Sequence, residues 1–311
     1  MTTVLRGRVA PVKRPLLLAL VLALAVLAAA GCGGDDESGA AGTTTAADVD
    51  SCAKDQLQLK EPGTLTIGTD NPAFSPWFEG GTAEGSDWEF NDPTNGEGFE
   101  SAVAYAVAEK LGFQKSEVNW VVVPFNQSFR PGEKSFDFDI NQISVTAERD
   151  RAVDFSDSYY DVNQALVARQ GTDLANATTI DEIKQAQLGA QVGTTSLALI
   201  EEQIQPEKEP RVFDTSNDVV SAFNAKNVDG VVVDLPTAFF LVDAEEAKNA
   251  KVVGQFPAAE GEQEHFGMLF EEGNPLRDCV NRALTELRDE GTLEEIQQQW
   301  LSEKREVPVL E

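Results

Sequence analysis

The chain has 311 residues, with 53 Asp and Glu against 24 Lys and Arg, a formal net charge of -29, and a single histidine. An apolar share of 41% is ordinary for a globular protein, so the composition excludes a wholly disordered chain, and the length allows one large domain or two medium ones. The acidity argues against a nucleic-acid partner, which needs Lys/Arg clusters, and one histidine excludes multi-histidine metal sites and leaves only His265 for a His-based triad.

Residues 1–31 carry Arg6, Arg8, Lys13 and Arg14 and no acid, followed by an apolar run at 16–30. That run is too short to span a bilayer, which takes about 20 apolar residues, and it fits a secretory signal. Ala29-Ala30-Gly31-Cys32 is similar to a bacterial lipoprotein cleavage box, with Ala29 where Leu is usual, so Cys32 is expected to be lipidated. Plain secretion with cleavage near Ala30 is the alternative. Removal of 1–31 leaves 20 Lys and Arg against 53 Asp and Glu, a formal charge of -33. Residues 32–57 read as a flexible tether rich in Gly, Ala, Thr, Ser and acid. Outside the cytoplasm, Cys52 and Cys279 are free to pair; two separate thiols are the alternative.

Short apolar runs then alternate with amphipathic ones. Residues 65–69 predict a strand, and 99–111 a helix, apolar at 99, 102, 103, 106, 107 and 111 and closed by Gly112. Strands are expected at 120–125 and 138–145, with an extended crossing at 164–169. A strand at 188–192 precedes a helix from about Ser196. A helix follows at 216–225 with Ser216 as its cap, then a strand at 230–233, a helix at 236–247 and a strand at 252–256. Helices at 277–288 and 293–301 are separated by Gly291. Alternation with short links makes the class α/β with mixed, mostly parallel sheets, in two lobes with a cleft between them.

In such sheets ligands bind beyond the carboxyl ends of strands. The residues there are Asp70, Phe74, Trp77, Phe125, Asn126, Ser144, Thr146, Arg149, Thr194, Thr195, Ser196 and Asp234. They supply a guanidinium, hydroxyls, a helix start, carboxylates and aromatic rings, a set suited to a small zwitterion. Arg149 grips a carboxylate with two N–H groups, and Asp234 holds an ammonium. On residue type alone each has a plainer role. Arg149 sits in a charged run, Asp234 precedes a helix that it would cap, and Thr194-Thr195-Ser196 is a generic helix start. Phe74 and Trp77 suit a core, Asp70 suits a turn, and His265 suits a structural place near a lobe crossing.

At these residues the chain resembles the family 3 extracellular solute-binding proteins of polar amino-acid ABC transporters. The resemblance runs from about Leu65 to Leu301. It rests on Ile67-Gly68-Thr69-Asp70, Gly98-Phe99-Glu100, the block from Ser144 to Tyr160, Gly193-Thr194-Thr195, Val228 to Pro236, and Gly291-Thr292-Leu293 with Trp300. It implies a two-lobed, type II periplasmic-binding-protein fold with the ligand in the interlobe cleft. Lobe 1 would be 58–160 plus 266–311, and lobe 2 would be 161–265. Arg149 would hold the α-carboxylate, with Thr195 and its neighbours, including Thr194, adding donors from the other lobe. Ser144 and Asp234 would hold the α-ammonium, helped by a carbonyl near Asn141. Phe74 and Phe125 would flank the ligand, and Asp70 would complete the site.

Some positions depart from the family pattern. Asn141 and Gln142 stand where small residues are usual, often Gly second, and two amides there would narrow the pocket or add polar partners. Asp139 replaces an apolar residue. One extra residue lies between Asp70 and Phe74, and a long insertion runs from 80 to 96. The resemblance implies a monomeric, lipid-anchored receptor on the outer face of the cell membrane. It would deliver an amino acid to a permease, with no cofactor, metal or catalysis. The alternatives are a cyclohexadienyl dehydratase-like enzyme acting on prephenate or arogenate, with Asp139 or Glu100 as the acid, and a sensing module without transport.

Overall fold

The computed structural model describes residues 51–258, 263–301 and 306–311. The signal segment at 1–31, Cys32 and the tether up to residue 50 lie outside the described residues.

Along the chain, β1 (Leu65–Thr69), α1 (Phe99–Lys110), β2 (Val118–Val122), α2 (Phe125–Ser128), β3 (Phe138–Asp139) and β4 (Asp154–Phe155) begin a first lobe. β5 (Tyr160–Asp161) leads out of it. The second lobe runs through β6 (Gln164–Arg169), α3 (Ile180–Ile183), β7 (Leu188–Gln191), α4 (Thr195–Leu199) and β8 (Arg211–Phe213). It continues with α5 (Ser216–Asn224), β9 (Gly230–Asp234), α6 (Leu235–Asp243) and β10 (Ala250–Gln255). The chain returns through β11 (His265–Phe266), and β12 (Leu269–Phe270), α7 (Leu276–Asp289) and α8 (Thr292–Trp300) complete the first lobe.

The first sheet has the order β2-β1-β3-β12-β4 and the second β10-β6-β9-β7-β8. β1 is parallel to β2 and β3, and β7 is parallel to β8 and β9. The strands next to the crossings, β4, β6, β10 and β12, pair antiparallel. The sheets are therefore mixed, and their parallel part is confined to the strands that helices connect. β5 and β11 pair antiparallel as the two crossings, with His265 opposite Asp161. His265 thus sits at the hinge, its Nδ1 3.2 Å from the Gln263 carbonyl.

β6 was expected only as an extended crossing, yet it is an interior strand. Its alternate side chains serve opposite faces of the sheet. Ala165 and Val167 pack with Val219 and Phe223, while Leu166 and Ala168 pack with Leu188 and Ile200. A strand buried on both faces reads as a short apolar run without alternation.

Other boundaries shift for local reasons. Residues 138–145 pair as a strand only at Phe138–Asp139, because Gln142 takes φ +47 and turns the chain. The strand expected at 120–125 ends at Val122, and Pro124, which has no N–H to donate, precedes α2. Thr215, not Ser216, caps α5, accepting from the Asp218 N–H. α6 stops at Asp243, and Glu245 follows at φ +57.

Two termini correct the expected lobe limits. Residues 51–57, placed in the tether, are fastened to the first lobe: Cys52 is bonded to Cys279, with Cα atoms 5.4 Å apart, and Lys54 pairs with Glu117 at 2.6 Å. Residues 306–311, placed in lobe 1, pack instead on the second lobe. Leu310 is fully buried in its core, its N–H donates to Gln255 O at 2.9 Å, and the Ile180 N–H donates to Glu311 O at 2.9 Å. A Cβ on Gly254 would lie 2.7 Å from Leu310, so this close approach requires glycine.

Candidate functional site

All ten residues singled out as ligand contacts line one cavity of about 320 Å³: Asp70, Phe74, Phe125, Asn141, Gln142, Ser144, Arg149, Thr194, Thr195 and Asp234. The elements explain the convergence. Asp70 follows β1, Asn141 to Ser144 follow β3, Thr194 and Thr195 follow β7, and Asp234 ends β9. Each is at the carboxyl end of a strand, from one lobe or the other.

Arg149 is buried in the first lobe, yet its guanidinium reaches across. Nη1 donates to Ser144 O at 2.6 Å, and Nη2 donates to Gly193 O at 2.8 Å on the second lobe. Its plane lies over Phe129, with Cζ 4.7 Å from the ring centre, and near Phe125 at 5.5 Å. Burial pulls its pKa down to about 10, against the opposing pull of the Glu264 and Asp234 carboxylates. It stays cationic at neutral pH. Two of its five N–H groups serve the carbonyls, and a guanidinium fork has the geometry to grip a carboxylate.

Asp234 keeps accessible surface toward the cavity, but the lobes wall it in. Burial and the neighbouring Glu264 carboxylate push its pKa up to about 8, while the hydrogen bond from Gln164 opposes the rise. Gln164 is buried and opposite Asp234 in the β6–β9 register. Its Nε2 donates to Asp234 Oδ1 at 2.7 Å and reaches both Glu264 oxygens at 3.2 Å. Its Oε1 accepts from Ser196 Oγ at 2.5 Å. One amide therefore ties two carboxylates together, and a cation placed there would relieve their mutual repulsion.

Ser144 Oγ donates to Glu264 Oε1 at 2.7 Å and lies 3.4 Å from Thr195 Oγ1, which belongs to the other lobe. The Thr194 hydroxyl is spent on its own helix: it donates to Gln191 O at 2.8 Å and accepts from the Leu197 N–H at 3.1 Å. The Asn141 amide nitrogen is buried without a hydrogen-bond partner. Asp70 accepts from the N–H groups of Asn71 and Phe125 at 2.8 and 3.2 Å, and burial still raises its pKa.

Gln142 lines the cavity, and Glu100 takes its backbone and side-chain donors. Its N–H donates to Glu100 Oε1 at 2.6 Å, and its side-chain amide donates to Glu100 Oε2. Glu100 also accepts from the Tyr159 hydroxyl at 2.5 Å. It is fully buried, which pushes its pKa up to about 7. Glu100, which does not line the cavity, thus anchors Gln142 from behind the wall.

Asp139 is also fully buried and stands well above the usual carboxylate range through burial and the nearby Glu100 and Asp70 charges. Neither of its oxygens has a hydrogen-bond partner. Neither Glu100 nor Asp139 lines the cavity. Trp77 is core, with its ring against Phe99, Tyr160 and Phe266. Its Nε1 nonetheless donates across the cleft to Thr237 Oγ1 at 3.0 Å.

Four contributors were not singled out from sequence: Gln164, Glu264, Phe129 and Phe90. Gln164 opens an apolar run and meets Asp234 only through antiparallel pairing. Glu264 adjoins the crossing at His265, and that position was the one available signal.

The profile of bacterial extracellular solute-binding proteins, family 3, matches residues 80–303. The arginine-binding extracellular protein ArtP of Bacillus subtilis (strain 168) is 25% identical over 230 residues, 72% of this chain and 85% of the relative. The L-cystine-binding protein TcyA of the same organism is 28% identical over 307 residues, 94% of this chain and 98% of the relative. Among solved structures, an ancestral arginine-binding protein bound to glutamine superposes with a TM-score of 0.64 at 27% identity, covering 78% of this chain and all of that one. The chain belongs to the bacterial extracellular solute-binding proteins, family 3.

Proposed function

We propose that this protein is the substrate-binding component of an ABC uptake transporter and that its ligand is an amino acid held as a zwitterion. The observation that carries the reading is the placement of one guanidinium and one carboxylate, Arg149 and Asp234, on opposite lobes around a single cavity. The α-carboxylate meets Arg149 and donors near Thr195; the α-ammonium meets Asp234 and Ser144, with Glu264 behind them. Each charge-assisted hydrogen bond contributes roughly 1.5–3 kcal/mol. The ligand bridges the lobes and favours the closed form by its differential affinity for that form. The closed form docks on the permease.

The chain acts as a monomer, tethered through a lipid on Cys32 to the outer face of the membrane. Binding without catalysis fits the site. The carboxyl groups that a dehydratase reading would use, Asp139 and Glu100, stand behind the cavity wall, and Glu100 already accepts from three donors. Supporting relatives carry amino-acid ligands in their names, arginine, glutamine and L-cystine among them.

A thermal-shift screen against amino acids, the matching amines and small acids tests this reading. A ligand at a hundredfold excess over its Kd stabilises by about 2.7 kcal/mol. Stabilisation by at least one amino acid is the expected result; silence toward all of them would overturn the zwitterion.

A further inference from the structure

Phe90 belongs to the inserted segment at 80–96 and combines two unfavourable features. It is 54% exposed, the most exposed of the large apolar side chains among the described residues, and its φ is +66, a left-handed conformation rare for an aromatic residue. Such outliers persist only where their surroundings enforce them, and they cluster at ligand sites.

The surroundings here do enforce it. Asn71 accepts from the Glu89 N–H at 2.8 Å, and the Ala73 N–H donates to Glu89 O at 3.2 Å. On the other side, the buried Asn91 donates to Ala73 O at 3.0 Å and accepts from the Gly81 N–H at 3.0 Å. Phe90 is therefore held from both neighbours, and the segment that carries it is fastened to the loop that carries Phe74. The fastening leaves the Phe90 ring on the cavity wall, 5.5 Å from the Phe74 ring and tilted by 44°.

We propose that Phe90 is a specificity-determining residue: with Phe74 it forms an aromatic wall for the distal end of the ligand's side chain, selecting a flat, delocalised group there. This rests on the zwitterion reading, because it assumes that Arg149 and Asp234 fix the head group. The rings touch each other, so the distal group packs on their joint face and does not slot between them. Both an aromatic ring and a guanidinium have this flat chemistry. Besides Asp234 the cavity lining holds two carboxylates, Asp70 and Glu246, and acidic groups of this kind favour the guanidinium over a neutral ring.

Calorimetric titration of the wild type and of Phe90→Ala with L-alanine, L-norleucine, L-phenylalanine and L-arginine tests the proposal. The wild type is expected to bind phenylalanine or arginine at least tenfold more tightly than norleucine, and the comparison of the two identifies the source of the flat group. Phe90→Ala should weaken the preferred one about tenfold and leave alanine within twofold, and Phe90→Tyr should restore the preference. An equal loss for all four ligands would mean that Phe90 only holds the loop, and no loss at all would remove it from the site; either result overturns the proposal, as would a wild type that prefers norleucine. A wild type that binds none of the four, or any other amino acid, would sink the zwitterion reading itself. A failure confined to Phe90 leaves that reading standing.

Discussion

Arg149 and Gly193 meet across the cleft, the guanidinium of one lobe donating to the carbonyl of the other at 2.8 Å. The residue assigned to the ligand's carboxylate thus also helps to close the lobes. Arg149→Ala should remove two roles together. Because two charge-assisted bonds are lost, the Kd is expected to rise by about a hundredfold or more, at about 1.4 kcal/mol per decade. Isothermal titration measures it. A Kd within threefold of the wild type would take Arg149 out of the site.

Asp234 is expected to make binding pH-dependent. Its pKa near 8 leaves it mostly protonated at pH 7 in the free protein, whereas an ammonium requires the carboxylate. Binding should therefore release up to about one proton at pH 7, and affinity should rise as pH increases toward 8. Titrations in buffers of different ionisation enthalpy report the proton count. Asp234→Asn should bind weakly and release none, and a wild type that releases none would contradict the assignment.

Glu100 gives a second, structural dependence on pH. Its folded pKa is about 7 against an ordinary value of 4.5, so the folded state holds its proton more tightly than the unfolded chain. The stability that this provides is complete below about 4.5 and is lost as pH rises through about 7. Asp234 and Asp139 act in the same direction. The urea midpoint of the ligand-free protein should fall between pH 5 and pH 8. In Glu100→Gln that fall should be shallower, with lower stability at pH 5, since a neutral amide oxygen cannot serve all three donors.

The Cys52–Cys279 bond joins the start of the described chain to α7 across 227 residues. Reduction should lower stability by about 2–4 kcal/mol, the usual range for a native disulfide. Intact mass after alkylation, with and without reductant, should show two more blocked thiols in the reduced sample, whatever the state of Cys32. The same number of blocked thiols in both samples would mean separate thiols.

Much of this was legible because it is local. The run Leu65–Thr69 is apolar enough to be buried between two strands, and it is β1 as expected. Arg149 and Asp234 follow expected strands, which suggested the cleft without deciding it; the family resemblance singled them out, and both line the cavity. What escaped depends on long-range pairing or on a backbone turn. Gln164 touches Asp234 only because β6 and β9 pair antiparallel in one particular register. The strand expected at 138–145 stops early because Gln142, in a left-handed conformation, is caught by Glu100 from a helix 42 residues earlier. Leu310 reads as part of a C-terminal tail of the first lobe, and its burial in the second follows from a glycine at 254 that leaves room for it.

A need for both charges of one amino acid is expected of a site with its two charge partners on opposite lobes. Its most direct measurement is calorimetric titration with the amino acid that shifts the melting temperature most, beside the amine lacking its carboxylate and the acid lacking its ammonium. The parent should bind at least about a hundredfold more tightly than either fragment, each having lost its partner on one lobe. A fragment that binds within tenfold of the parent would contradict the account.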